Sequence, residues 1–132
     1  MKDQDLIADF VNRRVWAVVG ASQDRKKFGY RVFHSLRQAG YTVYPVNPKG
    51  GELEGVTVYP TLADLPELPE VVNLVVPPEV TEQVVEEAHR LGLARIWMQP
   101  GAESAKAIAY CHAHGMLVIQ QACAMVYKRY WD

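Results

Sequence analysis

Val15-Trp16-Ala17-Val18-Val19-Gly20-Ala21-Ser22 decides the fold: five consecutive apolar residues stop at a glycine and pass into a small polar turn. An alternating pattern would mark a strand with one wet face. An unbroken run marks a strand buried on both faces, as in a parallel sheet. The same grammar repeats outward from this stretch. Residues 21–28 form a loop, and Gly29 precedes a helical pattern that carries Val32, Phe33 and Leu36 inward and ends at Gly40. Thr42-Val43-Tyr44-Pro45-Val46 is a second strand closed by Asn47-Pro48, with Pro45 favouring an edge or terminal position. Lys49-Gly50-Gly51-Glu52 is turn-like, and Val56-Thr57-Val58-Tyr59 reads as a short third strand. Thr61 and Asp64 spell the aspartate variant of a capping box.

Val71-Val72-Asn73-Leu74-Val75-Val76 is a fourth strand, ended by Pro77-Pro78. The spacing then predicts a helix over about 79–91 with Val80, Val84, Ala88 and Leu91 on one face. Arg95-Ile96-Trp97-Met98-Gln99 is a fifth strand before Pro100-Gly101, a helix follows over about 103–114, and Met116-Leu117-Val118-Ile119 is a sixth strand. Upstream, residues 3–12 suit a short helix with Leu6, Ile7 and Phe10 on one face and Asp3 or Asp5 as its cap. The tail from residue 122 has no period.

Strands alternating with helices imply right-handed crossovers and a single α/β domain over 1–132: a doubly wound, mostly parallel, Rossmann-like sheet of order 3-2-1-4-5-6. In such sheets the ligand crevice lies outside the strand carboxyl ends, where the strand order reverses. Four corners should therefore meet: Gly20-Ala21-Ser22, Asn47-Pro48-Lys49, Val76-Pro77-Pro78 and Gln99-Pro100-Gly101.

Composition narrows the classes. A net charge of −1 disfavours general binding to nucleic acid or membrane surfaces. The residues from Met1 lack a secretory signal, and no apolar stretch approaches the ~20 residues of a membrane span. Two cysteines, Cys111 and Cys123, are too few for a disulfide framework, so a reduced, cytoplasmic chain is expected. His34, His89, His112 and His114 lack metal-ligand spacing and read as helix-surface residues. Glu86 and Glu87 fall near a solvent face, Ser22 has no histidine base in its sequence context, and the tryptophans and tyrosines are too scattered to stack bases.

What remains is an anion site on the first loop. Gly20 permits the tight turn, Ser22 offers a hydroxyl, and Gly29 stands before the helix whose free amides and dipole favour phosphate. Arg25, Lys26 and Lys27 add cations beside it. The dinucleotide fingerprint is incomplete, because Ser22 replaces its second glycine and the loop to Gly29 is too long. Asn47 stands where an acid would read a ribose hydroxyl, which weakens an NAD role.

Val18-Val19-Gly20-Ala21-Ser22, Gly29, Gly40-Tyr41, Val43-Tyr44-Pro45-Val46-Asn47-Pro48, Tyr59-Pro60, Leu65-Pro66, Pro77, and Trp97 with Gln99 and Gly101 together resemble the CoA-binding domain family. That family is similar to the first domain of the succinyl-CoA synthetase alpha subunit. The resemblance covers about 15–123 and implies coenzyme A as ligand. Its phosphates and adenosine would lie around Gly20, Ala21, Ser22, Asn47, Pro48 and Lys49, and its pantetheine arm past Val76, Pro77 and Gln99. Relatives often carry an acid and a base before the late cysteine, where this chain has Gln121-Ala122-Cys123. The expectation is a coenzyme A binding protein without catalytic groups of its own: a regulatory, carrier or partner-docking module. The alternatives are an NAD(P)-binding enzyme or redox sensor, and an interaction module with a vestigial crevice.

Overall fold

The computed structural model describes residues 3–132, and Met1 and Lys2 lie outside the described residues. The elements are α1 (Asp3–Val11), β1 (Val15–Val19), α2 (Phe28–Gln38), β2 (Thr42–Val46), β3 (Glu52–Leu53), β4 (Val56–Thr57), a 3-10 turn (Leu62–Asp64), β5 (Val71–Leu74), α3 (Pro78–Arg90), β6 (Arg95–Met98), α4 (Ala105–Ala113), β7 (Leu117–Ile119) and α5 (Ala124–Tyr127). Five strands form one sheet in the order β2-β1-β5-β6-β7, and every pairing in it is parallel. The order reverses between β1 and β5, where the crevice is expected.

Apolar layers on both faces explain the unbroken strand runs. Trp16, Val18, Val71, Trp97 and Ile119 pack with Phe10, Val32, Phe33, Leu36 and Ala124 from α1, α2 and α5. Ala17, Val19, Val72, Leu74, Ile96 and Met98 meet Val85, Ala88, Ala107 and Cys111 from α3 and α4 on the other side. The α3 stripe is rotated by one residue from the expected one. Thr81, Val85 and Ala88 are buried, whereas Val80, Val84 and Leu91 are half-buried. Counting only apolar residues hid the i, i+4, i+7 ladder that starts at a threonine.

The expected third strand is a correction. Val56–Thr57 instead pairs antiparallel with Glu52–Leu53 in a separate hairpin, and only Tyr59 reaches β2, through one parallel bridge to Val46. There Tyr59 N donates to Pro45 O at 2.9 Å, and Asn47 N donates to Tyr59 O at 2.9 Å. The next bond of a parallel ladder would need the N–H that Pro45 lacks, so pairing stops after one residue.

The tail without a period is ordered by tertiary contacts. Trp131 N donates to Ala39 O at 2.8 Å, and its ring meets Tyr41 edge-on at 5.6 Å. Tyr41 OH in turn donates to Val11 O at 2.7 Å and accepts from Arg129 N at 3.0 Å. Among the described residues no helix is long and apolar enough to cross a membrane.

Candidate functional site at the strand carboxyl ends

The four expected corners form one continuous row. Asn47 Nδ2 donates to Ala21 O at 2.9 Å, joining the β2 corner to the β1 corner. Gly20 lies so close to the β5 corner that a Cβ there would sit 2.1 Å from Val75 O, and its φ is +98°. Only glycine fits that backbone and that spacing. Gln99 N donates to Leu74 O at 3.0 Å, which ties in the β6 corner. Val75, Val76, Pro77, Pro100, Gly101 and Ala102 then line a hollow of about 230 Å³ between β5 and β6.

Gly29 lies inside the first turn of α2 rather than before it. A Cβ at this position would fall 2.0 Å from Gly20 O, so the residue lets α2 pack directly on the end of β1. The intervening loop closes on itself: Ser22 Oγ accepts from Asp24 N at 3.1 Å, and Asp24 Oδ1 accepts from Lys26 N at 3.0 Å. Arg25, Lys26 and Lys27 are left exposed beside the α2 amino end.

Three helices longer than one turn begin at this edge of the sheet, and they differ in what they offer an anion. The α2 first turn has no acidic residue and no capping side chain, so its amides stay open. Helix α3 starts with Pro77 and Pro78, which have no N–H, followed by Glu79. In α4, Ser104 Oγ already accepts from Ala107 N at 3.1 Å, and Glu103 precedes the cap. A phosphate is favoured at α2 and opposed at the other two.

Asn47 is fully engaged, since Oδ1 also accepts from Lys49 N at 3.0 Å. An acid at this position could not donate to Ala21 O. The residue that replaces the ribose-reading acid is therefore a bridge between two loops. Gln99 differs from its expected place along the crevice: it is fully buried under α5. Its Oε1 accepts from Asn73 Nδ2 at 3.1 Å and Ala124 N at 2.9 Å, and Nε2 donates to Cys123 Sγ at 3.2 Å. Gln99 positions the loop after β7 instead of lining the hollow. Pro48 and Lys49 are exposed at the β2 corner.

Sequence reasoning missed the wall on the other side of the loop. Glu54 and Gly55 both have positive φ, 52° and 78°, as a two-residue hairpin turn requires. Glu54 Oε2 takes Tyr30 OH at 2.7 Å and faces His34 Nδ1 at 2.7 Å, while Arg37 Nη1 donates to Glu54 O at 2.8 Å. The Tyr30 hydroxyl first, and His34 after it, hold the Glu54 carboxyl below its usual range. His34 is thus a hydrogen-bond partner of Glu54 on the surface of α2, a contact its sequence reading as a helix-surface residue did not include. Gln23 Nε2 adds a bond to Glu52 O at 2.6 Å. The only advance sign was Glu54-Gly55 ahead of the β-branched Val56-Thr57-Val58. Among the described residues no group of three or more histidines, cysteines and carboxylates is placed to hold a metal.

A parallel sheet with a crevice at its order reversal, a glycine-tight first loop and one open, cation-flanked helix end define a nucleotide-binding domain of Rossmann type. The chain belongs to the CoA binding domain family, whose model matches residues 14–129. It is 31% identical over 125 residues to the alpha subunit of an ADP-forming acetate–CoA ligase II from Pyrococcus furiosus, with 86% of this chain and 27% of that subunit covered. The chain thus spans about a quarter of that relative's length. It is 29% identical over 110 residues to the YneT protein of Bacillus subtilis, covering 83% of this chain and 82% of the other. A solved structure of a hypothetical protein from Pyrococcus horikoshii OT3 superposes with a TM-score of 0.89 at 32% identity, covering 96% and 89% of the two chains. These likenesses support coenzyme A as the ligand and give no support to NAD(P).

Proposed function

We propose that the crevice binds coenzyme A with its phosphates at the α2 amino end and its pantetheine arm running to the hollow between β5 and β6. The observation that carries this orientation is the contrast between the open end of α2 and the closed ends of α3 and α4. Gly20, Ala21, Ser22 and Gly29 shape the phosphate turn, and Arg25, Lys26, Lys27 and Lys49 meet the several phosphate charges. Val76 and Pro77 flank the arm. Such a chain serves in the cytoplasm as a carrier, regulatory or docking module, with the chemistry supplied by a partner protein. The relative from Pyrococcus furiosus, a ligase subunit about three and a half times as long, supports that division of labour.

Thermal shift with coenzyme A, its 3′-dephospho form, NAD and NADP tests the assignment. A native-state ligand at 100 times its Kd stabilises by about 2.7 kcal/mol. Coenzyme A should raise Tm most, and Lys26→Ala with Lys27→Ala should erase its advantage over the dephospho form. An equal shift with NADP, or none at millimolar coenzyme A, overturns the proposal.

A further inference from the structure

We infer that the far end of the crevice selects the free thiol and neutral thioesters over dicarboxylic acyl groups, and that Glu103 sets this preference. The inference rests on the orientation proposed above, which carries the thiol end of coenzyme A into the hollow between β5 and β6.

The hollow is built without anion donors. Of its six lining residues, Pro77 and Pro100 have no N–H. Val75 N is spent on Val19 O at 2.8 Å, and Ala102 N on Gln99 O at 2.8 Å. Gly101 N, the donor a loop glycine would normally present to a carboxylate, donates instead to Glu103 Oε1 at 2.8 Å. Only the Val76 N–H stays unengaged among the described residues, enough for one neutral carbonyl.

The surrounding charge has the same sign as a dicarboxylic tail. Glu103 stands directly behind Gly101, and exposed Glu79 occupies the first turn of α3, two residues beyond Pro77. Lys106 is the nearby cation, but it lines a separate groove of about 330 Å³ between α3 and α4, where Glu79, Glu82 and Glu86 outnumber it. A terminal carboxylate in the hollow therefore meets the Glu103 carboxylate at the Gly101 wall, and no lysine or arginine is among the residues that line it. At a surface dielectric, a like charge within about 6 Å weakens binding about tenfold or more.

Calorimetric titration of the full chain with coenzyme A, acetyl-CoA and succinyl-CoA tests this, alongside Glu103→Gln and Glu103→Ala. Coenzyme A and acetyl-CoA should agree within about threefold, and succinyl-CoA should bind about tenfold more weakly, the effect of one uncompensated charge. Glu103→Gln keeps an acceptor for Gly101 N but removes the charge, so the ratio of acetyl-CoA to succinyl-CoA affinity within the variant should fall most of the way to one. Glu103→Ala also frees Gly101 N, so succinyl-CoA should gain further. Equal binding of acetyl-CoA and succinyl-CoA to the unaltered chain, or a gap unchanged in both variants, overturns the inference while leaving the coenzyme A assignment standing. Failure of coenzyme A itself to bind removes the assignment and the inference together.

Discussion

Gly29→Ala separates local propensity from tertiary packing because the two predict opposite signs. Gly29 lies in a helix without the positive φ that marks other glycines of the chain, so propensity alone predicts that alanine stabilises by about 1 kcal/mol. The structure predicts the reverse. The new Cβ would stand 2.0 Å from Gly20 O, whereas ordinary contact begins at 3.4 Å, so α2 must retreat by 3.4 − 2.0 = 1.4 Å. The obstacle is a backbone carbonyl, which cannot swing aside as a flexible side chain could. Overpacking of this kind costs about 1–3 kcal/mol, and the severity of the contact places it near the top. After subtracting the propensity gain, the variant should lose about 1–2 kcal/mol. With a urea slope of about 1–3 kcal/mol per molar, the unfolding midpoint should fall by roughly 0.3–2 M. Gln38→Ala, at an exposed position of the same helix, serves as the control and should leave the midpoint nearly unchanged. A midpoint that rises in Gly29→Ala would refute the packing argument. Coenzyme A should also bind the variant more weakly, since the open end of α2 has moved.

Three further outcomes follow from single contacts. Asn47→Asp removes the donor to Ala21 O and sets a carboxylate beside the phosphate turn; it should cost about 1–3 kcal/mol in urea unfolding and weaken coenzyme A by tenfold or more. Unchanged affinity would mean the β2 corner lies outside the site. Glu54 is depressed on folding, so it contributes stability above its unfolded pKa of about 4.3 and loses it as pH falls through the lower folded value. From pH 7 to 3, Tm should therefore fall more steeply in the unaltered chain than in Glu54→Gln, and parallel curves would contradict the Tyr30–Glu54–His34 clamp. Burial pushes the Cys111 thiol up to about 11, whereas Cys123 is only half-buried. A disulfide reagent at pH 8 should label one thiol quickly in the folded chain, and Cys123→Ser should abolish that phase. Two equal fast phases would place Cys111 at the surface.

The sheet could be read from the sequence because its information is local. Each strand announces itself as an apolar run stopped by Gly20, Asn47-Pro48, Pro77 or Pro100, and the doubly wound order follows from connection rules. Pro45 was correctly an edge residue. That its missing N–H ends the pairing with Tyr59 after one bond became visible only with the register in hand. The site was legible as a set of corners but not as a set of contacts. Asn47 and Gln99 carry the same amide, yet one bridges two loops and the other is buried beneath α5. The contact of Tyr30 and His34 with Glu54 was not legible because it depends on a hairpin turn 20 residues or more along the chain from α2. Glu103 escaped because its bond to Gly101 looks in sequence like any acidic residue before a helix.

The direct test of the account is amide chemical-shift mapping as coenzyme A is added to the isotope-labelled chain. The largest changes should fall on the turn from Gly20 to Tyr30 and on Asn47 to Gly51, with a second set at Val75, Val76, Gly101 and Ala102. Changes confined to the outer groove between α3 and α4, or at the opposite edge of the sheet, would contradict the crevice and the orientation drawn from it.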